Sequence, residues 1–122
     1  MASPKYQLQD VIKLISSEAE SKIWFPAKSR SIDKVVEVYS TNDKLLTYGD
    51  AVDFILAGLR QLSPDDFVES VYQWDIVCDV YGAFIDKKPW YIKFAIDGDC
   101  LSQISFHPPE KPLKTVTGKT IF

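Results

Sequence analysis

Three runs late in the chain decide its fold: WDIVCDVY (Trp74–Tyr81), WYIKFAI (Trp90–Ile96) and CLSQISFH (Cys100–His107). All are rich in β-branched and aromatic residues and lack internal glycine and proline, as a strand on a pleated, half-buried surface requires. Asp97-Gly98-Asp99, between the second and third runs, is a hairpin signal because glycine accepts a positive φ without steric cost. The three runs are predicted to form an antiparallel meander.

A three-residue loop at 97–99 sets Ile96 opposite Cys100, Ile92 opposite Ile104 and Trp90 opposite Phe106. One face then carries Trp90, Ile92, Phe94, Ile96, Ile104 and Phe106 and belongs in a core. The other carries Tyr91, Lys93, Gln103, Ser105 and His107, with Tyr91 and His107 directly across from each other. A two-residue loop would shift the pairing and mix the faces, so three residues are expected. In this reading Trp74 and Trp90 belong to the core, and Asp79 pairs with Lys93 or Arg60 or helps to hold Tyr81.

Upstream, apolar residues recur at helical spacing. Leu8, Val11, Ile12 and Ile15 give a stripe within a helix expected over Tyr6–Glu20. Lys22–Phe25 reads as a short extended piece closed by Pro26. Ile32, Val35, Val36 and Tyr39 mark a second helix over Ser31–Tyr39, with Ser31 as its cap. Val52, Ile55, Leu56 and Leu59 mark a third, capped by Asp50. Ser63-Pro64-Asp65-Asp66 combines a capping serine, proline at the first helical position and acids in the first turn, which predicts a short helix over Pro64–Tyr72. That helix would carry Glu69. Pro108, Pro109 and Pro112 end the third strand, leaving 109–122 as an extended tail unless Val116 and Ile121 dock it. The whole is an α+β architecture, a small antiparallel sheet with a short N-terminal strand packed on N-terminal helices, in one domain over residues 1–122.

Bulk properties narrow the function. A formal net charge of −3 gives no general attraction to nucleic acid, so any RNA contact needs a local basic patch. No apolar run approaches the roughly 20 residues of a membrane span, and Met-Ala-Ser-Pro-Lys is no signal peptide, so a cytoplasmic location with no membrane contact is expected. Cys78 and Cys100, both inside predicted strands, read as buried thiols rather than a disulfide or a metal pair.

The blocks YQLQDVIKLI (Tyr6–Ile15), ILAGLRQLSPDDFVES (Ile55–Ser70), CDVY (Cys78–Tyr81), WYIK (Trp90–Lys93) and SFH (Ser105–His107) stand in the order of the MqsR toxins, and the chain resembles that family outside Glu20–Asp50. The resemblance implies a RelE-like α+β fold and an endoribonuclease that cuts mRNA without a metal or cofactor. It also implies a cognate antitoxin protein as partner. Tyr91 matches the family's catalytic tyrosine. Glu69, Cys78 and His107 stand where the family has lysine, glutamine and lysine.

RNA cleavage without a metal needs a base for the 2′-hydroxyl, an acid for the 5′-oxygen and a cation for the charge that builds on phosphorus. His107 suits the base or the acid, Tyr91 is its partner and Lys93 the cation, with Glu69 as a second base. Cys78, Gln103 and Ser105 are the expected substrate contacts. The competing reading keeps the scaffold and a partner surface but not the chemistry. It takes Tyr91 and Lys93 as ordinary residues of a solvated sheet face and Asp65, Asp66 and Glu69 as helix-terminal charges.

Overall fold

The computed structural model describes residues 3–16, 22–26, 29–41, 43–73 and 75–122; Trp74 and the expected helix end at Glu20 lie outside them. The protein is α+β. Its helices are α1 (Leu8–Ile15), α2 (Ser31–Tyr39) and α3 (Tyr48–Gln61), and its strands are β1 (Ile23–Trp24), β2 (Phe67–Gln73), β3 (Ile76–Ile85), β4 (Lys88–Asp97), β5 (Cys100–His107), β6 (Leu113–Lys114) and β7 (Thr120–Ile121). Five strands form a sheet in the order β1-β5-β4-β3-β2, and β6 and β7 form a separate hairpin. The meander from β2 to β5 is antiparallel, while β1 joins β5 in parallel. The sheet is thus mixed and has one more meander strand than the sequence suggested.

That extra strand replaces the helix expected over Pro64–Tyr72. The capping signals are genuine: Ser63 Oγ accepts the Asp65 N–H at 3.1 Å and the Asp66 carboxylate accepts the Ser63 N–H at 2.9 Å. They close only a single 3₁₀ turn, Pro64–Asp66. The following Phe-Val-Glu-Ser-Val-Tyr-Gln, rich in β-branched and aromatic residues, pairs with β3 instead, so Glu69 sits on a strand.

The hairpin at residue 98 also departs from expectation. Asp97 pairs with Cys100 across a two-residue loop, with φ of 64° at Gly98, the positive first position of a type II′ turn. The mixing of faces that such a loop threatens is undone within β5. The register slips once, between Phe94–Gln103 and Lys93–Ser105, so that Ile104 is an extra residue, a β-bulge. Beyond it Ile92 pairs with Phe106 and Tyr91 with His107. Ile104 consequently packs with Cys78 and Ala95 in a small cluster, away from the main core in which it was expected.

That main core lies between the sheet and the helices and includes Val11, Ile55, Leu59, Trp90, Ile92 and Phe106. Phe54, Trp90 and Phe106 form a triangle with centroids 5.1 to 6.0 Å apart, and such pairs contribute about 0.5–1.5 kcal/mol each beyond burial. α3 comes close because Gly58 faces Ile85 and Phe106; a Cβ there would lie 2.9 and 3.0 Å from their side chains. Its cap is Thr47 rather than Asp50. Thr47 Oγ1 accepts the Asp50 N–H at 3.0 Å and Asp50 reciprocates on the Thr47 N–H at 3.3 Å. α2 has the expected span, with Arg30 as cap and Ser31 as its first residue. Arg60 donates to the carbonyl of Ile15 at 3.2 Å and so ties α3 to the end of α1.

Two corrections concern polar anchors. Asp79, fully buried, pairs with neither Lys93 nor Arg60. It accepts the N–H of Lys5 at 3.0 Å and of Tyr6 at 2.8 Å and the hydroxyl of Ser70 at 2.7 Å, fixing the segment that enters α1. The C-terminal segment is no loose tail: Ile121 is buried, Leu113 and Ile121 pack over Gly82, and the Val116 N–H donates to the Phe67 carbonyl at 2.8 Å. Val116 itself is exposed.

Since Asp79 satisfies two backbone donors and a hydroxyl, Asp79→Ala is expected to cost about 2–3 kcal/mol in urea unfolding, and Ser70→Ala about 1 kcal/mol. Equal stability of Asp79→Ala and wild type would refute the anchor.

Candidate functional site

The bulge decides what faces the open side of the sheet. Tyr91 and Lys93 alternate with the core residues Ile92 and Phe94 on β4, so they point away from the helices. Ser105 and His107 pair with them and share that face. These four side chains line one cleft of about 300 Å³, closed on its far side by Glu110, Lys111 and Leu113.

Within it the Tyr91 and His107 rings stack, with centroids 4.9 Å apart and planes 13° from parallel. His107 Nδ1 lies 2.7 Å from the Pro108 carbonyl. A carbonyl only accepts, so Nδ1 carries a proton, and it is Nε2 that keeps the lone pair in the neutral form of the ring. The Lys93 ammonium lies 5.8 Å from the centre of the Tyr91 ring and donates to Gln73 Oε1. Burial lowers the Lys93 pKa below the ordinary lysine value, with the nearby Cys78 acting in the opposite sense. Burial raises that of Tyr91, and the charge of Glu69 and then Cys78 add to the rise. At neutral pH the pair is therefore a phenol with a proton to donate and an ammonium that gives up its proton more readily than an exposed one.

The other expected site residues do not reach the cleft. Glu69 is exposed on β2, opposite Val80; it acts on Tyr91 only through its charge. Cys78 is fully buried, with burial raising its thiol pKa, and its Sγ lies 3.8 Å from the Ile76 carbonyl. Gln103 is fully buried as well. Its amide nitrogen donates to the carbonyls of Lys93 at 3.2 Å and Ser105 at 2.8 Å, clamping the two strands where the register slips, so its role is in the scaffold. Among the described residues no group of three or more His, Cys, Asp or Glu is arranged to hold a metal ion.

Sequence reasoning missed the wall formed by Glu110, Lys111 and Leu113. A signal was present in Leu113–Ile121, where threonines and apolar residues flank Gly118 as in a short hairpin; Gly118 has a φ of 86°. No protein-family profile matches the chain, and no curated protein sequence matches it. No helix among the described residues is long and apolar enough to cross a membrane.

Glu69→Gln is expected to lower the Tyr91 titration, because removing a negative charge favours phenolate. It should stay above the ordinary tyrosine value, since burial, the larger cause, remains. Carbon-13 NMR of labelled tyrosine reads both effects, and an unshifted Tyr91 in the variant would show that Glu69 does not act on the cleft.

Proposed function

We propose that the protein is a metal-free endoribonuclease, an MqsR-type toxin with a RelE-like fold, acting on mRNA in the cytoplasm and neutralised by a cognate antitoxin protein. The observation that carries this reading is the convergence of His107, Tyr91 and Lys93 in one cleft, with the imidazole held by Pro108 so that Nε2 is free. His107 Nε2 takes the proton of a 2′-hydroxyl, and the 2′-oxygen attacks the adjacent phosphorus. The bond from phosphorus to the 5′-oxygen breaks, and the departing oxygen takes a proton from the Lys93 ammonium. The products are a 2′,3′-cyclic phosphate and a 5′-hydroxyl. Lys111 and the Tyr91 hydroxyl offset the charge that builds on the phosphorane oxygens. Stacking on Tyr91 limits rotation of the imidazole.

A second reading, a non-catalytic interaction module on the same scaffold, is favoured by the acids beside the cleft. Glu110 lines it and the charge of Glu69 reaches it, both repelling a phosphate backbone.

Purified protein mixed with single-stranded RNA, free and on ribosomes, is expected to give fragments ending in cyclic phosphate. His107→Ala should lower the rate by about 10²–10⁴-fold, and Tyr91→Phe should slow it while leaving the fold intact by circular dichroism. RNA left intact under both conditions would overturn the nuclease and leave the interaction module.

The sign of the alkaline limb follows from Lys93. Burial disfavours its charged form, so the proton the leaving oxygen needs is lost at a lower pH than an exposed lysine would lose it. The rate should fall as pH rises through a value below the ordinary lysine range, and Lys93→Arg should move that limb upward. An alkaline limb unchanged by Lys93→Arg would remove Lys93 as the acid.

A further inference from the structure

β2 pairs with β3 only as far as Phe67 opposite Tyr81, whereas β3 continues to Ile85. Ala83–Ile85 therefore overhangs, with β4 on one side and, among the described residues, no strand on the other. The turn at its end fixes which backbone groups are spare. Asp86 and Lys87 have φ of 55° and 63°, as a two-residue type I′ hairpin requires. Ile85 and Lys88 thus exchange the closing hydrogen bonds, and Phe84–Pro89 is the next, non-hydrogen-bonded pair. Pro89, which has no N–H, suits that position. The N–H and carbonyl of Phe84 consequently both point outward, and no described residue hydrogen-bonds to them.

This edge is recessed. A slot of about 490 Å³ runs beside it, floored by Ala83 and Ile85 and walled by Gln61 of α3, Ile121 of β7 and the Asp66–Lys119 pair. A second cavity of about 670 Å³ shares Gln61 and Ile85 with the slot and continues it along the Asp50, Phe54, Ala57 and Gln61 stripe of α3. That stripe spans about 16 Å at 1.5 Å per residue, which an extended chain covers in about five residues. Phe84, half exposed at 52%, stands at the rim.

We infer that this groove docks an extended segment of a partner protein, hydrogen-bonded to the Phe84 backbone as an added β-strand and placing alternate apolar side chains over Ala83, Ile85 and Phe54. An outward N–H and carbonyl on one residue is half of a narrow antiparallel pair, and another strand's backbone completes it. The occupant is a free-standing segment and not a second copy of this chain. The open edge is reached between Gln61 of α3 on one side and Lys119, Thr120 and Ile121 of the C-terminal hairpin on the other, an approach that suits a single extended segment. The inference does not depend on the cleft's chemistry.

The probe is a displayed library of random ten-residue peptides, selected on the whole chain and followed by titration of a synthetic winner. Recovered peptides should carry apolar residues at alternate positions and shift the amide signals of Ala83–Ile85. Phe84→Pro, which deletes the outward N–H without touching the β3–β4 ladder, and Gln61→Trp, which fills the shared wall, should each weaken binding at least tenfold. Backbone N-methylation of the peptide should do the same. Recovery of no peptide, binding indifferent to both substitutions, or a concentration-dependent dimer dispersed by Phe84→Pro would each overturn the proposal.

Discussion

The period of two along a strand gives its side chains no way to change faces except through an extra residue, and between β4 and β5 that residue is Ile104. Continuing the register of the Gly98 hairpin to the end of β5 without a slip would set Phe106 opposite Tyr91 and His107 opposite Trp90. The largest apolar ring of β5 would then face water and the imidazole would enter the core. With the bulge, Phe106 joins Trp90 and Phe54 and His107 stacks on Tyr91. Core and cleft are two faces of one register slip. Gln103 holds it in place with two hydrogen bonds to main-chain carbonyls inside the sheet, where leaving those acceptors unpaired would cost about 1–3 kcal/mol each.

Burial then differentiates groups that composition alone would treat alike. Lys93 and Lys111 both line the cleft, but Lys93 rises from the middle of a central strand and burial lowers its pKa. Tyr91 shares that burial and shifts the opposite way, because its charged form is the anion. An adjacent amine and phenol are thus both pushed toward their neutral forms by one cause. The arrangement suits proton transfer better than permanent charge.

Much of this was legible in the residues. Periodicity located α1, α2 and α3, β-branched and aromatic runs located β4 and β5, and the alternation along β4 placed Tyr91 and Lys93 on one face. Three features escaped for physical reasons. The turn at Pro64 carries helix-start chemistry that a 3₁₀ turn uses equally well, and what decides for a strand after Phe67 is the pairing with β3, which no local stretch displays. Thr47 and Asp50 are both acceptable caps, and the reciprocal bond that decides between them appears only in three dimensions. The bulge has no sequence mark of its own. It is selected by the simultaneous burial of Leu101 and Phe106, a constraint that no local window contains.

Asp66 joins the turn before β2 to the C-terminal hairpin. One carboxylate oxygen accepts from the Ser63 N–H and closes the turn that starts β2; the other lies 2.6 Å from the Lys119 ammonium in the C-terminal hairpin. With only 11% of its side chain exposed, this carboxylate is screened less than a surface ion pair. The start of β2 sets how far β3 overhangs. The hairpin held by Lys119 seats Leu113 over Gly82 and thereby positions the segment from Glu110 to Leu113 that walls the cleft. A single buried acid, itself a wall of the slot beside the open strand edge, therefore helps to set the limits of that edge and of the cleft.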